Sequence, residues 1–343
     1  MSVAYVYDAR HTQHREPGHP ERPERLIALW QVLEASGLLP LMTPIEATPV
    51  DPALLHRIHD RHHIEAVKAA SQAGGGHLDS DTYITAHSYE IALLAAGGAV
   101  NATEAVLSGK ARAAFTLLRP PGHHALSNRG MGFCLFNHIA LAAQHALERG
   151  LERILIIDYD AHHGNGTQEI FYPRADVLYF STHQYPWYPG SGHWRERGEG
   201  PGEGHTANVP LPAGIGDQGY LRVFREILSP LAERYRPQLI LVSAGYDAHW
   251  RDPLALMRLS ARGFAELAIA ILDLAGWHCD GKCVFVLEGG YDLDATSASA
   301  LATFAVLLER PVQDLLGEVA PAETPLDQLI ADVQQAHHLG SES

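Results

Sequence analysis

The chain has 343 residues, 46% hydrophobic and 19% charged, with 31 glycines and 21 prolines, a composition that can bury a large core and excludes a disordered protein. Twenty-five basic residues against 40 acidic ones leave a formal charge of -15, which argues against sequence-independent nucleic-acid binding, because that needs clustered Lys and Arg to displace phosphate counterions. Cys134, Cys279 and Cys283 show no C-x-x-C spacing, no run of about 18 uncharged apolar residues suggests a membrane span, and the start lacks a basic then apolar leader, so reduced cysteines and a cytoplasmic location are expected.

In chain order, Val3 to Tyr7 reads as a strand. Pro23 opens a helix whose Leu26, Leu29, Trp30 and Leu33 recur at i, i+3, i+4 and i+7, and Gly37 closes it. A helix over Tyr89 to Leu107 is followed by a strand over Ala113 to Leu118 and a helix over Asn137 to Arg149 ended by Gly150. Strands at Ile154 to Ile157 and Val177 to Phe180 precede a helix from Gly219 to Tyr235, a strand at Leu239 to Ser243, and a helix capped by Ser260 that runs through Leu274. The last strand is Cys283 to Leu287 and the last helix Ser297 to Leu308. Short, nearly continuous apolar strands alternating with helices predict an α/β protein with a parallel sheet covered on both faces. No linker divides the chain, so residues 1–316 read as one domain. The tail 317–343, with Pro321, Pro325 and a polar end at Ser341 to Ser343, reads as a peripheral segment.

Ligands of open parallel sheets bind beyond the carboxyl ends of the strands, and here those ends carry unusual residues. They read Arg119-Pro120-Pro121-Gly122-His123-His124, then Asp158-Tyr159-Asp160-Ala161-His162-His163-Gly164-Asn165-Gly166, then Ser181-Thr182-His183, then Ala244-Gly245-Tyr246-Asp247-Ala248-His249, and Glu288-Gly289-Gly290-Tyr291. Asp158, Asp160 and His162 are spaced by two, so in an extended strand end they project to one side. With Asp247 as a further carboxylate they make a cation site with an open coordination position, the arrangement of a catalytic rather than a structural metal. One Asp after a strand is ordinarily a cap or a turn residue, but that explanation does not extend to the whole set.

Either His of the pair His123-His124 can accept a proton from water near neutral pH. Tyr291, after two glycines, can donate a hydrogen bond to a developing oxyanion. No Ser or Cys stands in a nucleophile setting such as G-x-S-x-G. The economical chemistry is water attacking a carbonyl beside a metal, that is, hydrolysis of an amide or ester.

The motifs R-P-P-G-H-H, D-x-D-x-H-H-G-N-G, S-A-G-x-D-A and E-G-G-Y, in this order between about Tyr7 and Leu308, make the chain resemble the zinc-dependent histone deacetylase family, which includes bacterial acetylpolyamine amidohydrolases and acetoin-utilisation proteins. The resemblance implies an arginase/deacetylase fold with a mostly parallel sheet of eight strands, two more than the six read above. It implies Asp160, His162 and Asp247 as zinc ligands, with Fe2+ acceptable to the same set. His124 becomes the base and then the acid, His123 its electrostatic partner, Asp158 and Asn165 their respective orienting groups, and Tyr291 the polariser of the acyl carbonyl. Asn165, where class I members carry Asp, is similar to class II. By the same resemblance, Gly132, Phe133 and Tyr188 line the acyl-lysine channel, and Asp158, Asp160, His162, Ser181 and Thr182 match the ligands of a K+ ion, partly through backbone carbonyls. Arg22 matches an acetate exit channel.

Acyl-lysine in protein or peptide is the favoured substrate, with an acetylpolyamine or another small acylated amine as the alternative. Relatives specialised for polyamines carry Glu where this chain has Leu254 in Asp252-Pro253-Leu254-Ala255, which removes one device for a cationic tail. Asp79 and Asp81 are candidates for the rim of the site, with an ordinary loop role as the competing explanation. A ureohydrolase would want D-x-D at the later site, where Asp247 is followed by Ala248-His249, and a silent acyl-lysine reader would have lost Tyr291 or one His of the pair. Nucleic acid and membrane are not expected partners, and self-association into a homo-oligomer is left open. Of 22 histidines this chemistry uses His123, His124 and His162. The rest have no assigned role, although partial protonation moves the charge at pH 7 towards about -10.

Overall fold

Ten strands organise the chain: β1 (Val3–Tyr7), β2 (Thr43–Ile45), β3 (Gly75–His77), β4 (Tyr83–Thr85), β5 (Ala113–Leu117), β6 (Ile154–Asp158), β7 (Val177–Gln184), β8 (Thr206–Leu211), β9 (Leu239–Ala244) and β10 (Cys283–Leu287). The structure is a computed structural model that describes residues 2–319 and 324–339. Pro321 and the polar end at 341–343 lie outside the described residues.

Eight of the strands form one sheet in the order β2-β1-β5-β10-β9-β6-β7-β8, and every pairing in it is parallel. β3 and β4 make a separate antiparallel pair. The expected α/β class with a helix-covered parallel sheet is therefore present, and the two strands missing from the sequence reading are β2 and β8. Both are edge strands that contain proline, Pro44 and Pro210, which weakens a strand signal but is tolerated where one side needs no ladder.

Side chains alternate between two cores, as strand geometry requires. Phe115, Leu155, Ile157, Ile240, Val242 and Phe285 face one cluster. Ala114, Ile154, Ile156, Leu239, Leu241 and Val284 face the other. The helix Ser88–Leu107 covers this second face. It is long and apolar enough to cross a bilayer, but 67% of its most apolar stretch is buried in the protein, as befits a core helix.

Several boundaries differ from the sequence reading for local reasons. The last predicted helix starts earlier, at Leu293, because Asp292 caps it by accepting from the Ala295 amide at 2.8 Å. The helix expected from Gly219 to Tyr235 is two segments, Asp217–Val223 and Ser229–Tyr235, joined by a wider π-helical turn at Phe224–Leu228. Pro230 has no amide hydrogen to offer the Glu226 carbonyl, and Gln334 Nε2 donates to that carbonyl at 3.1 Å instead. Gln334 belongs to a helix at Asp327–Ala336 in the tail. Leu326, Ile330 and Val333 are buried in the main core, so this part of the tail is not peripheral. Short helices at Pro52–Ile58, Arg61–Gln72 and Asn165–Phe171 also went unread.

The connectivity positions the site. β5 and β6 follow each other in the chain but are separated in the sheet by β10 and β9. The loops after β5, β10, β9 and β6 therefore leave from four adjacent strands and border one crevice at their carboxyl ends.

Candidate active site

Asp160 and His162 follow β6 and Asp247 follows β9. One ligand atom from each lies within 4.8 Å of the others, and all three residues are buried. His162 Nδ1 is 2.8 Å from Asp247 Oδ2 and 3.2 Å from Asp160 Oδ1. The other oxygens are held from behind: Asp160 Oδ2 accepts from the Gly289 amide at 2.8 Å and Asp247 Oδ1 from the Ala161 amide at 2.7 Å. A side chain at Gly289 would collide with both carboxylates, so glycine is needed there for close approach rather than for its φ.

This donor set fits a divalent cation. Two buried carboxylates face one another, and burial together with the Asp160 charge holds Asp247 up at about 6. A metal between them would supply the missing positive charge. Imidazole plus two carboxylate oxygens is a zinc-type set with room for further ligands.

His123 and His124 sit beside the trio with ring centroids 4.0 Å apart, and their environments drive them in opposite directions. Burial pushes His123 down, but Asp158, Asp160 and Glu288 outweigh it and hold the ring at about 10. Its Nδ1 is 3.0 Å from Asp158 Oδ2, to which the Tyr179 hydroxyl also donates at 3.0 Å. His124 is pushed well below the ordinary range by burial and by the charges of His123 and His162. Its Nδ1 lies 2.8 Å from Asn165 Oδ1, so the proton belongs on Nδ1 and the Nε2 lone pair is free to accept another. The surroundings thus favour the charged form of His123 and the neutral form of His124.

Tyr291 follows β10 and is half-buried. Burial holds its phenol well above 10, which keeps it a donor. Two anchors fix it. Asp252 Oδ2 accepts from the Tyr291 amide at 2.7 Å, and the Arg25 guanidinium lies 4.8 Å over the ring centre.

Phe133 and Tyr188 stand on either side of this group. Phe133 meets Tyr291 edge-on at 5.8 Å, and Tyr188 meets His124 edge-on at 5.3 Å. Phe133 is presented by a two-residue turn in which Gly132 and Phe133 have φ of 56° and 70°, closed by hydrogen bonds in both directions between Met131 and Cys134. That is the geometry of a type I′ turn. A Cβ on Gly132 would sit 2.5 Å from the His124 ring.

The remaining candidates divide. Ser181 and Thr182 lie within β7 rather than after it, with Ser181 paired in register to Asp158. Thr182 Oγ1 is buried without a hydrogen-bond partner, and the Asp160 and His162 carbonyls accept none among the described residues. Asp81 is half-buried and Asp79 is exposed. Asp79 Oδ1 accepts from the Asp81 and Thr82 amides, an ordinary loop role. Leu254 is half-buried, with its amide on Asp252 and its carbonyl on Trp187 Nε1.

Arg22 is exposed. Arg25, one turn along, is buried and donates to the Glu288 and Gly290 carbonyls. Arg25 shares the helix face of Leu29 and Leu33, and a charge on an apolar stripe is a signal that it has a buried partner. That partner is Glu21, which also accepts from Arg119 Nε at 2.6 Å. Glu288 went unassigned too. Its Oε2 accepts from the Gly122 and His123 amides at 2.6 and 3.1 Å, which clamps the histidine loop to β10.

The histone deacetylase domain profile matches residues 19–307. The chain is 40% identical to a probable deacetylase of Archaeoglobus fulgidus over 98% of both chains. It is 42% identical to a histone deacetylase-like amidohydrolase of Pseudomonas aeruginosa over 93% of this chain and 82% of that one. Among solved structures, the crystal structure of the HDA15 HD domain superimposes with a TM-score of 0.92 at 37% identity, covering 98% of this chain and 96% of that one.

Proposed function

The chain belongs to the histone deacetylase family, with its arginase/deacetylase fold and its hydrolase activity on amide bonds, and from that premise we propose that it removes acyl groups from lysine side chains of proteins or peptides with one zinc ion held by Asp160, His162 and Asp247. The observation that carries this reading is the placement of the buried trio beside a neutral His124 and between two aromatic walls. Flat rings at Phe133 and Tyr188 suit the methylene chain of an acylated lysine. When bound, zinc supplies a Lewis acid that makes water more acidic and the acyl carbonyl more electrophilic.

The chain's own residues do the rest. His124 Nε2 takes the proton of the attacking water and returns it to the leaving amine. His123, kept cationic by Asp158, stabilises negative charge as it develops. Tyr291 donates its hydroxyl to the oxyanion, held in place by Arg25 and Asp252. Fe2+ fits the same ligands, and a K+ ion at Asp158, Asp160, His162, Ser181 and Thr182 would offset the concentration of carboxylates.

Leu254 in place of an acidic gatekeeper favours acyl-lysine over acetylpolyamine. The test is acetate release measured side by side on acetyl-lysine peptides, longer acyl-lysines, and acetylated putrescine and spermidine, with metal analysis of the same sample. One zinc per chain and preference for the peptide are expected. Two zinc-class ions per chain, none, or exclusive polyamine turnover would each overturn the proposal.

A further inference from the structure

At the opposite end of the sheet, a cavity of about 440 Å³ lies at the amino ends of β6, β7 and β8. Its lining includes Arg153, Arg197, Arg234, His205, His337 and His338, against one carboxylate, Glu203. Its fixed cations are the three arginines, a concentration that stands out in a protein whose formal charge is -15.

Two of the arginines have acidic neighbours: Arg197 is 3.3 Å from Glu203 and Arg153 is 3.7 Å from Glu152. Arg234 pairs with no carboxylate among the described residues, and its Nη1 donates to the His337 carbonyl at 2.6 Å. His337 is only 1% exposed, yet neither ring nitrogen finds a hydrogen-bond partner, and the Arg197 Nε is likewise buried and unpartnered. Buried polar atoms that the protein leaves unsatisfied at the wall of a cavity are positions where a water, an ion or a ligand completes the hydrogen bonding. Leu178, Leu231 and the ring of Tyr235 supply an apolar side.

We propose that this cavity is a second ligand site, distinct from the active site, that binds a phosphomonoester carried on an apolar or aromatic body. Guanidinium groups match the oxygens of a phosphate in geometry and charge. The volume lies in the range of small-molecule pockets and exceeds what a bare phosphate fills, and the Tyr235 side accommodates a ring. His337 and His338 follow the last helix and Arg153, Arg197 and His205 belong to the body of the domain, so the ligand bridges the tail helix to the domain and stabilises both.

The experiment uses the full chain, with inorganic phosphate and phenyl phosphate as probes and phenol as the uncharged control, read by calorimetric titration and by thermal unfolding. Phenyl phosphate should bind saturably, more tightly than phosphate, and raise the melting temperature, whereas phenol should do neither. Arg234→Gln and, separately, Arg197→Gln should each weaken phenyl phosphate binding by about tenfold or more, while deacetylase turnover and the melting temperature without ligand stay near wild type in at least one of them. Absence of saturable binding by both phosphate probes would overturn the proposal. So would binding that neither substitution weakens, or equal affinity for phenol and phenyl phosphate.

Discussion

The buried histidines make stability depend on pH in a direction that can be worked out residue by residue. His11, His138 and His337 are pushed down to about 4, and His14 and His59 to about 3, chiefly by burial. All five are at most 2% exposed. Unfolded, each titrates near 6.5. Below that pH the unfolded chain takes up protons that the folded chain refuses, so stability present above pH 6.5 is lost as pH falls towards the folded values. At pH 5.5 the difference is about 1.4 kcal/mol for each ring and about 7 kcal/mol for the five if they act independently. That is comparable to the whole stability of an ordinary domain.

His11 isolates one such term, since neither ring nitrogen is hydrogen-bonded and its ring packs edge-on to Tyr7 at 5.5 Å. The assay is urea unfolding of wild type and His11→Leu in the same metal-free buffer at pH 7.5, 6.5 and 5.5, so that contributions from the active-site groups cancel in the difference. Relative to wild type, His11→Leu should gain about 1.4 kcal/mol between pH 7.5 and 5.5. A difference that stays constant across that window would show that His11 is not held neutral.

Tyr291→Phe should retain the metal while kcat falls roughly 100- to 1000-fold, the worth of one oxyanion donor; metal analysis and steady-state kinetics on one preparation check both halves. Glu21→Gln should cost about 3–5 kcal/mol in denaturant unfolding, because Arg25 and Arg119 would be left buried without their carboxylate. A loss under about 1 kcal/mol would show that those cations find water instead. Leu254→Glu should raise the ratio of kcat/KM for acetylspermidine over an acetyl-lysine peptide about tenfold, equivalent to about 1.4 kcal/mol. An unchanged ratio would remove position 254 from substrate choice. Dialysis against a strong chelator should abolish turnover and zinc should restore it; full activity after metal removal would contradict a metal-assisted mechanism.

Much of the fold was legible because strands buried on both faces must be apolar along their whole length, and six of the eight sheet strands are. β2 and β8 were not legible, being proline-containing edges that need only half a ladder. The tail helix at Asp327–Ala336 escaped for another reason. Its burial depends on a partner surface, including the freed Glu226 carbonyl at the Pro230 turn, that no local pattern reveals.

For the site, the sequence by itself supplied the candidates: Asp160, His162, Asp247, the pair His123-His124 and Tyr291 follow strand ends in a recognisable order, and strand ends of a parallel sheet converge. What the tertiary structure alone decided is which charges compensate one another. It buried Arg25 and left Arg22 exposed, placed Glu288 and Asp252 behind the loops that carry His123 and Tyr291, and gave the two histidines surroundings that act in opposite directions. It also accounts for much of the histidine surplus, since twelve are buried. These outcomes depend on distances between segments far apart in the chain, and electrostatic and desolvation energies vary steeply with such distances.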